Sequence, residues 1–115
     1  MADCIFCKIA NKEIPSTVVY EDDQVIAFKD LDPQAPVHVL VIPKKHVASI
    51  AALKAEDKEL AGHIICEVIP EIAKEQGISE SGFRVVANTG AEGGQTVNHL
   101  HFHLLGGRSM QWPPG

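Results

Sequence analysis

His99-Leu100-His101-Phe102-His103-Leu104-Leu105 holds three of the chain's six histidines at alternate positions, each separated from the next by one apolar residue. Side chains on a strand alternate between faces, so this spacing predicts His99, His101 and His103 on one face and Leu100, Phe102 and Leu104 on the other. The apolar face is an ordinary core face. The histidine face admits three readings. It is a wet sheet surface on which imidazoles stand as Ser or Thr would. It is a metal site, since residues two apart on a strand lie about 6.5–7 Å from one another and can converge on one ion. Or one ring is a nucleophile or general base that its neighbours orient, as suits a group titrating near neutrality.

The rest of the chain supplies the frame. Ile5, Phe6 and Ile9 are spaced for a short N-terminal helix with Asp3 as its N-cap, and Pro15 closes that segment. Residues 17–20 and 24–29 read as two strands of a hairpin about the acidic turn Glu21-Asp22-Asp23. The loop Asp30 to Pro36 carries two prolines, which fix φ and stiffen it. Val37 to Pro43 is almost continuously apolar and predicts a central strand covered on both faces, interrupted only by His38. One long helix is expected from about Ala55 to Gln76. Leu60, Ile64, Val68 and Ile72 form one row of its stripe, and Ala61, Ile65, Ile69 and Ala73 the other. Pro70 should kink or divide it, Gly77 should stop it, and Cys66 reads as a small buried hydrophobe. Residues 83–88 form a fourth strand, Thr89 to Thr96 a Gly-rich loop, and the histidine row a fifth strand before an irregular Gly/Pro-rich tail. Five strands on short turns with one long amphipathic helix imply an α+β fold: a five-stranded antiparallel sheet, covered by the helix on one face, with the histidines on the other.

Bulk properties narrow the function. A chain of 115 residues is expected to be a single domain, 1–115. A net charge of −5 gives no electrostatic footprint for nucleic acid as a main ligand. No apolar run is long enough for a membrane span. Three cysteines, an odd number, with no secretory pattern at Met1 to Cys4, predict a reducing, cytoplasmic setting.

The Gly-rich loop ends three residues before His99, close enough to cradle a phosphate beside the row, with backbone N–H groups and the side chains of Gln95 and Thr96 as donors. Such a phosphate would lie beside His101, the central ring. A neutral imidazole nitrogen can attack phosphorus if its other nitrogen donates to a fixed acceptor; no carboxylate stands nearby in sequence, so a backbone carbonyl or another histidine is expected there. His103 could then donate to the phosphate or protonate the leaving group.

His99 to Leu105 resembles the His-φ-His-φ-His-φ-φ signature of the histidine triad superfamily. Gly93-Gly94-Gln95-Thr96-Val97-Asn98-His99, Pro33-Gln34-Ala35-Pro36, Pro43-Lys44-Lys45-His46 and the ending Gly106 to Gly115 resemble its Hint branch. The galactose-1-phosphate uridylyltransferase branch usually has Gln where His103 stands. The resemblance implies hydrolysis of the P–N bond of purine nucleoside phosphoramidates, AMP or GMP linked to an amine, through a nucleotidyl-histidine. It implies His101 as nucleophile, His103 on the phosphate and His38 supporting the nucleophile's face. It also implies Gly94, Gln95 and Thr96 around the phosphate with Asn88 beside it, Asp30 as the ribose-binding acid, and Leu31 and Phe28 near the nucleoside. Thr96 stands where many Hint proteins have Ser. A homodimer with strands joined across the two-fold is implied, its tail approaching the partner's active site with Trp112 as anchor. Competing readings are a non-enzymatic nucleotide-binding interaction module, a dinucleoside polyphosphate hydrolase, and a metalloenzyme using the triad as ligands. No cofactor is expected for catalysis. Cys4 and Cys7 form a C-x-x-C with no preceding strand, and His46 and His99 can complete a Cys₂His₂ set. Hint-like proteins with this Cys pair resemble zinc-bound members, so a structural zinc at Cys4, Cys7, His46 and His99 is expected.

Overall fold

The computed structural model describes residues 4–115. Helix α1 (Ile5–Ala10) precedes strands β1 (Val18–Glu21), β2 (Val25–Lys29) and β3 (Val37–Pro43). A helical stretch then runs from residue 55 to 75, and β4 (Phe83–Val86) and β5 (Phe102–Gly106) follow. The five strands form one antiparallel sheet in the order β1-β2-β3-β5-β4. The N-cap of α1 is Cys4, whose thiol accepts from the Cys7 N–H. The expected cap, Asp3, lies outside the described residues.

Alternation along the central strands builds two cores. Val25, Ala27, Val39, Val41, Phe102 and Leu104 face the long helix, packing with Leu60, Ile64, Val68, Ile69 and Ile72. Ile26, Phe28, Leu40 and Ile42 point the other way, onto Phe6, Ile9 and Ala10 of α1. Four large apolar side chains on that face must leave water, and α1 is what covers them. The central strands are therefore covered on both faces, by the long helix on one and in part by α1 on the other.

The helical stretch is continuous but not uniform. A 3₁₀ turn (Ala55–Asp57) leads into α2 (Lys58–His63), a π-helical turn (Ile64–Val68) and α3 (Ile69–Glu75). Pro70 is the cause. It has no N–H to give the Cys66 carbonyl, and its ring would clash there in an α-turn; widening one turn, with the Ile69 N–H reaching the Ile64 carbonyl, relieves this. The extra residue rotates the stripe. Val68 and Ile69 are both buried, whereas Ile65 is 48% exposed and Cys66 is exposed, not buried as its sequence neighbours implied. Gly77, with φ of 74°, ends the helix, and the Ile78 N–H closes back on the Ala73 carbonyl.

The histidine row is shorter as a strand than its alternation predicts. β5 starts at Phe102, so His99 and His101 precede the ladder. The Leu100 N–H instead bonds the Val47 carbonyl, 2.6 Å away in the segment after β3. Facing nonetheless alternates: Leu100 joins the helix-side core, while His99 and His101 turn toward α1.

Candidate functional site

His103 on β5 pairs in register with Leu40 of β3, placing both on the α1 face, and His38 lies diagonally from it. α1 stops short of these two rings but covers the other members of the row. The Phe6 ring meets His101 edge-on at 5.1 Å and His99 at 6.0 Å between centroids. His99 is fully buried and His101 nearly so; of the three, His103 alone is half-buried, so the row is not the open face that a bare strand would give.

The partners of each ring fix its tautomer, because a carbonyl only accepts and a backbone N–H only donates. His101 Nδ1 lies 2.7 Å from the His99 carbonyl, so Nδ1 carries the proton and, in the neutral ring, the Nε2 lone pair is free. His38 Nδ1 accepts from the Gln34 N–H at 3.0 Å, so the His38 proton is on Nε2. His38 Nε2 is 2.9 Å from His103 Nδ1, which must therefore accept, leaving the His103 proton on Nε2. The Asp30 carboxylate stands 3.5 Å from His38 Nε2 and accepts from the Asp32 N–H at 2.8 Å. Burial favours the neutral form of His38 and His103. It pulls His38 below the ordinary imidazole value against Asp30 and Asp32. Burial, with His101 and His38 alongside, brings His103 down to about 4.

A second cluster lies behind the row. Cys4 Sγ is 3.3 Å and Cys7 Sγ 3.5 Å from His99 Nδ1, and Cys7 Sγ is 3.2 Å from His46 Nδ1. A tetrahedral zinc with ordinary Zn–S and Zn–N bonds sets its donors about 3.3–3.8 Å apart, so the four atoms are already near coordinating separation. His99 Nε2 donates to the Pro43 carbonyl at 2.8 Å, which aims the unprotonated Nδ1 at the sulfurs, the arrangement a metal-bound imidazole needs. Burial pushes the Cys7 thiol up, with Cys4 adding to it; a cation here would hold both sulfurs as thiolates. Cys4, Cys7, His46 and His99 fit a structural zinc, which would tie α1 to the sheet beneath it.

Asp30, His38 and His103 also bring ligand atoms within 4.8 Å of one another. Here the hydrogen bonds oppose a metal. The Gln34 N–H occupies His38 Nδ1 and so keeps a proton on Nε2, the nitrogen that would have to bind. The tautomers thus separate a metal site from a proton-donor site a few ångströms apart.

The Gly-rich loop is tightly folded. A Cβ on Gly93 would sit 2.3 Å from the Thr89 carbonyl oxygen, so only glycine fits. The Gly94 N–H bonds the Ala91 carbonyl and the Gln95 N–H the Gly90 carbonyl. The Gln95 carboxamide accepts from the Gly90 N–H and donates to the carbonyls of Ala48 and Val97. Gln95 was expected to supply free donors to a phosphate; here its groups brace the loop against the post-β3 segment. Thr96 is exposed and Asn88, just past β4, is half-buried. Phe28 is buried against Phe6, and Leu31 is 99% exposed beside Asp30. The acceptor expected for the second nitrogen of His101 is a backbone carbonyl, that of His99; sequence reading missed the Pro43 carbonyl, the Gln34 N–H and the Phe6 ring. Only Gln34 left a trace, in the proline-bracketed loop.

Residues 11–110 match the HIT domain model. The chain belongs to the HIT family. A HIT family hydrolase from Legionella pneumophila superposes with a TM-score of 0.96 at 52% identity, covering 98% of this chain and 100% of that one. A HIT-like protein of Synechococcus elongatus is 56% identical over 98% of this chain and 97% of its own length. A 14 kDa zinc-binding protein of Brassica juncea is 51% identical, over 98% of this chain and all of its own. These HIT relatives support a hydrolase-like role, and the last accords with the Cys₂His₂ cluster. Among the described residues no helix is long and apolar enough to cross a membrane.

Proposed function

We propose that this HIT protein hydrolyses purine nucleoside phosphoramidates, AMP or GMP joined to an amine through a P–N bond, by way of a nucleotidyl-histidine at His101. The observation that carries the reading is the bond from His101 Nδ1 to the His99 carbonyl, which leaves Nε2 with a lone pair. That lone pair attacks phosphorus; the P–N bond breaks, and the amine departs with the electron pair and a proton from solvent. The nucleotidylated ring is cationic, and its Nδ1–H stays on the carbonyl, which stabilises that charge. Water then attacks phosphorus, returning the electron pair to Nε2 and releasing the nucleotide.

His103 presents Nε2–H to a phosphoryl oxygen, with its tautomer held by His38. Thr96 and Asn88 are the proposed phosphate contacts, with Gly94 and Gln95 shaping the loop that carries Thr96. Asp30, Leu31 and Phe28 are the proposed nucleoside contacts. Zinc at the Cys pair would be structural, with no step of the reaction passing through it.

A homodimer in a cytoplasmic setting completes the proposal. β4 is a sheet edge, and its Phe83 and Val85 are 40% and 37% exposed, an apolar border that a second copy would cover. Trp112, 81% exposed, would find its partner there too.

The test is intact-mass spectrometry after mixing with an AMP-amine substrate. A nucleotidyl adduct on the wild-type chain, absent from His101→Ala, is the expected result, with turnover abolished and AMP binding retained. Near-normal turnover by His101→Ala would overturn the assignment. Faster cleavage of a P–O–P substrate than of the P–N substrate would move it to dinucleoside polyphosphates.

A further inference from the structure

Gln34 is held from two sides. Its N–H donates to His38 Nδ1 at 3.0 Å, and its carbonyl accepts both Nε and Nη2 of Arg108, at 3.1 and 2.9 Å. Arg108 lies in the tail, two residues past the end of β5, far outside the histidine row in role though near it in sequence. Gly107 brings the tail onto the loop. Its φ is 89°, and a Cβ there would lie 2.9 Å from Pro36 Cβ, so the backbone itself rests on the proline. The third guanidinium nitrogen, Nη1, donates to the Ser109 carbonyl at 3.0 Å, and Arg84 of β4 holds the Gln111 carbonyl at 2.9 Å. The tail is thereby fastened to both the loop and the sheet edge.

The loop's start is tied to β3, where the Asp30 N–H donates to the His38 carbonyl at 3.0 Å. Further along, the Asp32 N–H reaches Asp30 Oδ1 and the Gln34 carboxamide reaches the Asp32 carbonyl, neither of which holds the Gln34 peptide groups themselves. Arg108 does. A guanidinium offers two parallel donors to one oxygen, which sets direction as well as distance.

We propose that Arg108 is a positioning residue of the site: by clamping the Gln34 carbonyl it keeps the Gln34 N–H on His38 Nδ1, and so maintains the proton order His38 Nε2–H to His103 Nδ1, with His103 Nε2–H facing the substrate. The two bonds belong to adjacent peptide groups, so the influence is geometric rather than electronic. The kinetic consequence rests on the phosphoramidase reading; the effect on His38 does not.

The experiment compares wild type, Arg108→Gln, Arg108→Lys and Gln34→Pro by imidazole ¹⁵N NMR, with kcat and KM for an AMP-amine. In wild type, His38 Nδ1 should resonate as an unprotonated acceptor. In Arg108→Gln it should move toward the tautomer-averaged position, with kcat down roughly tenfold and KM changed by less than about twofold. Arg108→Lys, which retains one donor, should fall between. Gln34→Pro removes the N–H with Arg108 intact and should reproduce the His38 spectrum of Arg108→Gln. A wild-type His38 spectrum in either Arg108→Gln or Gln34→Pro would overturn the proposal, whatever happens to thermal stability. If wild type cleaves no AMP-amine, the function reading fails while the His38 spectra still decide the positioning role.

Discussion

Replacing His38 with Ala interrogates the proton order directly. In the intact site His38 Nε2–H donates to His103 Nδ1 at 2.9 Å. Its loss removes a hydrogen bond worth about 1 kcal/mol net, leaves a half-buried acceptor without a donor, and lets His103 exchange tautomers. A His103 with its proton on Nδ1 turns a lone pair toward a phosphoryl oxygen, which is repulsive. Loss of the tautomer and of the ring's lateral support together should lower kcat by roughly 10- to 100-fold, about 1.4–2.7 kcal/mol of transition-state stabilisation. His38→Gln, whose amide nitrogen can approach the Nε2 position, should recover part of this. A second signature comes from titration. His103 is brought down to about 4 by burial first, then by His101 and His38. Removing His38 admits water and deletes one of those neighbours, so the NMR titration midpoint of His103 should climb toward the ordinary imidazole value of about 6.5. Steady-state kinetics and a ¹H–¹⁵N titration of the two proteins are the assays. A kcat within about twofold of wild type, or an unmoved His103 midpoint, would refute the relay.

Two further outcomes concern stability. Stripping zinc with a chelator, or substituting Cys7→Ser, should lower Tm by 10 °C or more, since a metal held at a thousand times its Kd contributes about 4 kcal/mol and each kcal/mol shifts Tm by roughly 4–8 °C in a domain near this size; equal melting curves with and without chelator would count against a metal there. His63 joins the β1–β2 turn to the helix, with Nε2 2.6 Å from Asp22 and Nδ1 2.6 Å from Glu67. Glu67 first and then Asp22 raise its pKa, so its contribution is fully present below the unfolded value of about 6.5 and is lost as pH rises through the folded one. Asp22 runs the other way: burial opposes ionisation, but Tyr20, His63 and the N–H groups of Gln24 and Val25 prevail and bring it to about 2, so its share is present above about 3.8 and lost as pH falls toward 2. Urea unfolding of His63→Ala should show a loss of about 1 kcal/mol at pH 6 that shrinks by pH 8.5; a pH-independent deficit would contradict the ion pairs.

What the sequence disclosed and what it hid divide along the range of the interactions involved. Alternation is local, and it correctly sent Leu100, Phe102 and Leu104 toward the helix, while the near-continuous apolar run of β3 correctly marked a central strand covered on both faces. The four-residue helical spacing is local as well, and it correctly buried Leu60, Ile64, Val68, Ile69, Ile72 and Ala73; it failed at Ile65 and Cys66, which the π turn forced by Pro70 leaves at the surface. Which side chains gather into clusters was legible because imidazoles and thiols are scarce and their spacings restrictive. The tautomer of each ring was not, because it is set by particular backbone atoms that no side-chain pattern encodes: the carbonyls of Pro43 and His99 and the N–H of Gln34. His99 shows the consequence most sharply. Its ring, pinned through Nε2 to Pro43, faces the cysteines, while its own carbonyl takes the Nδ1 proton of His101. One residue thus belongs to the metal cluster by its side chain and to the proposed nucleophile by its backbone, so the two clusters share one element. A row that reads as three equivalent imidazoles is three different groups: a ring turned toward a metal site, a free lone pair and a fixed donor.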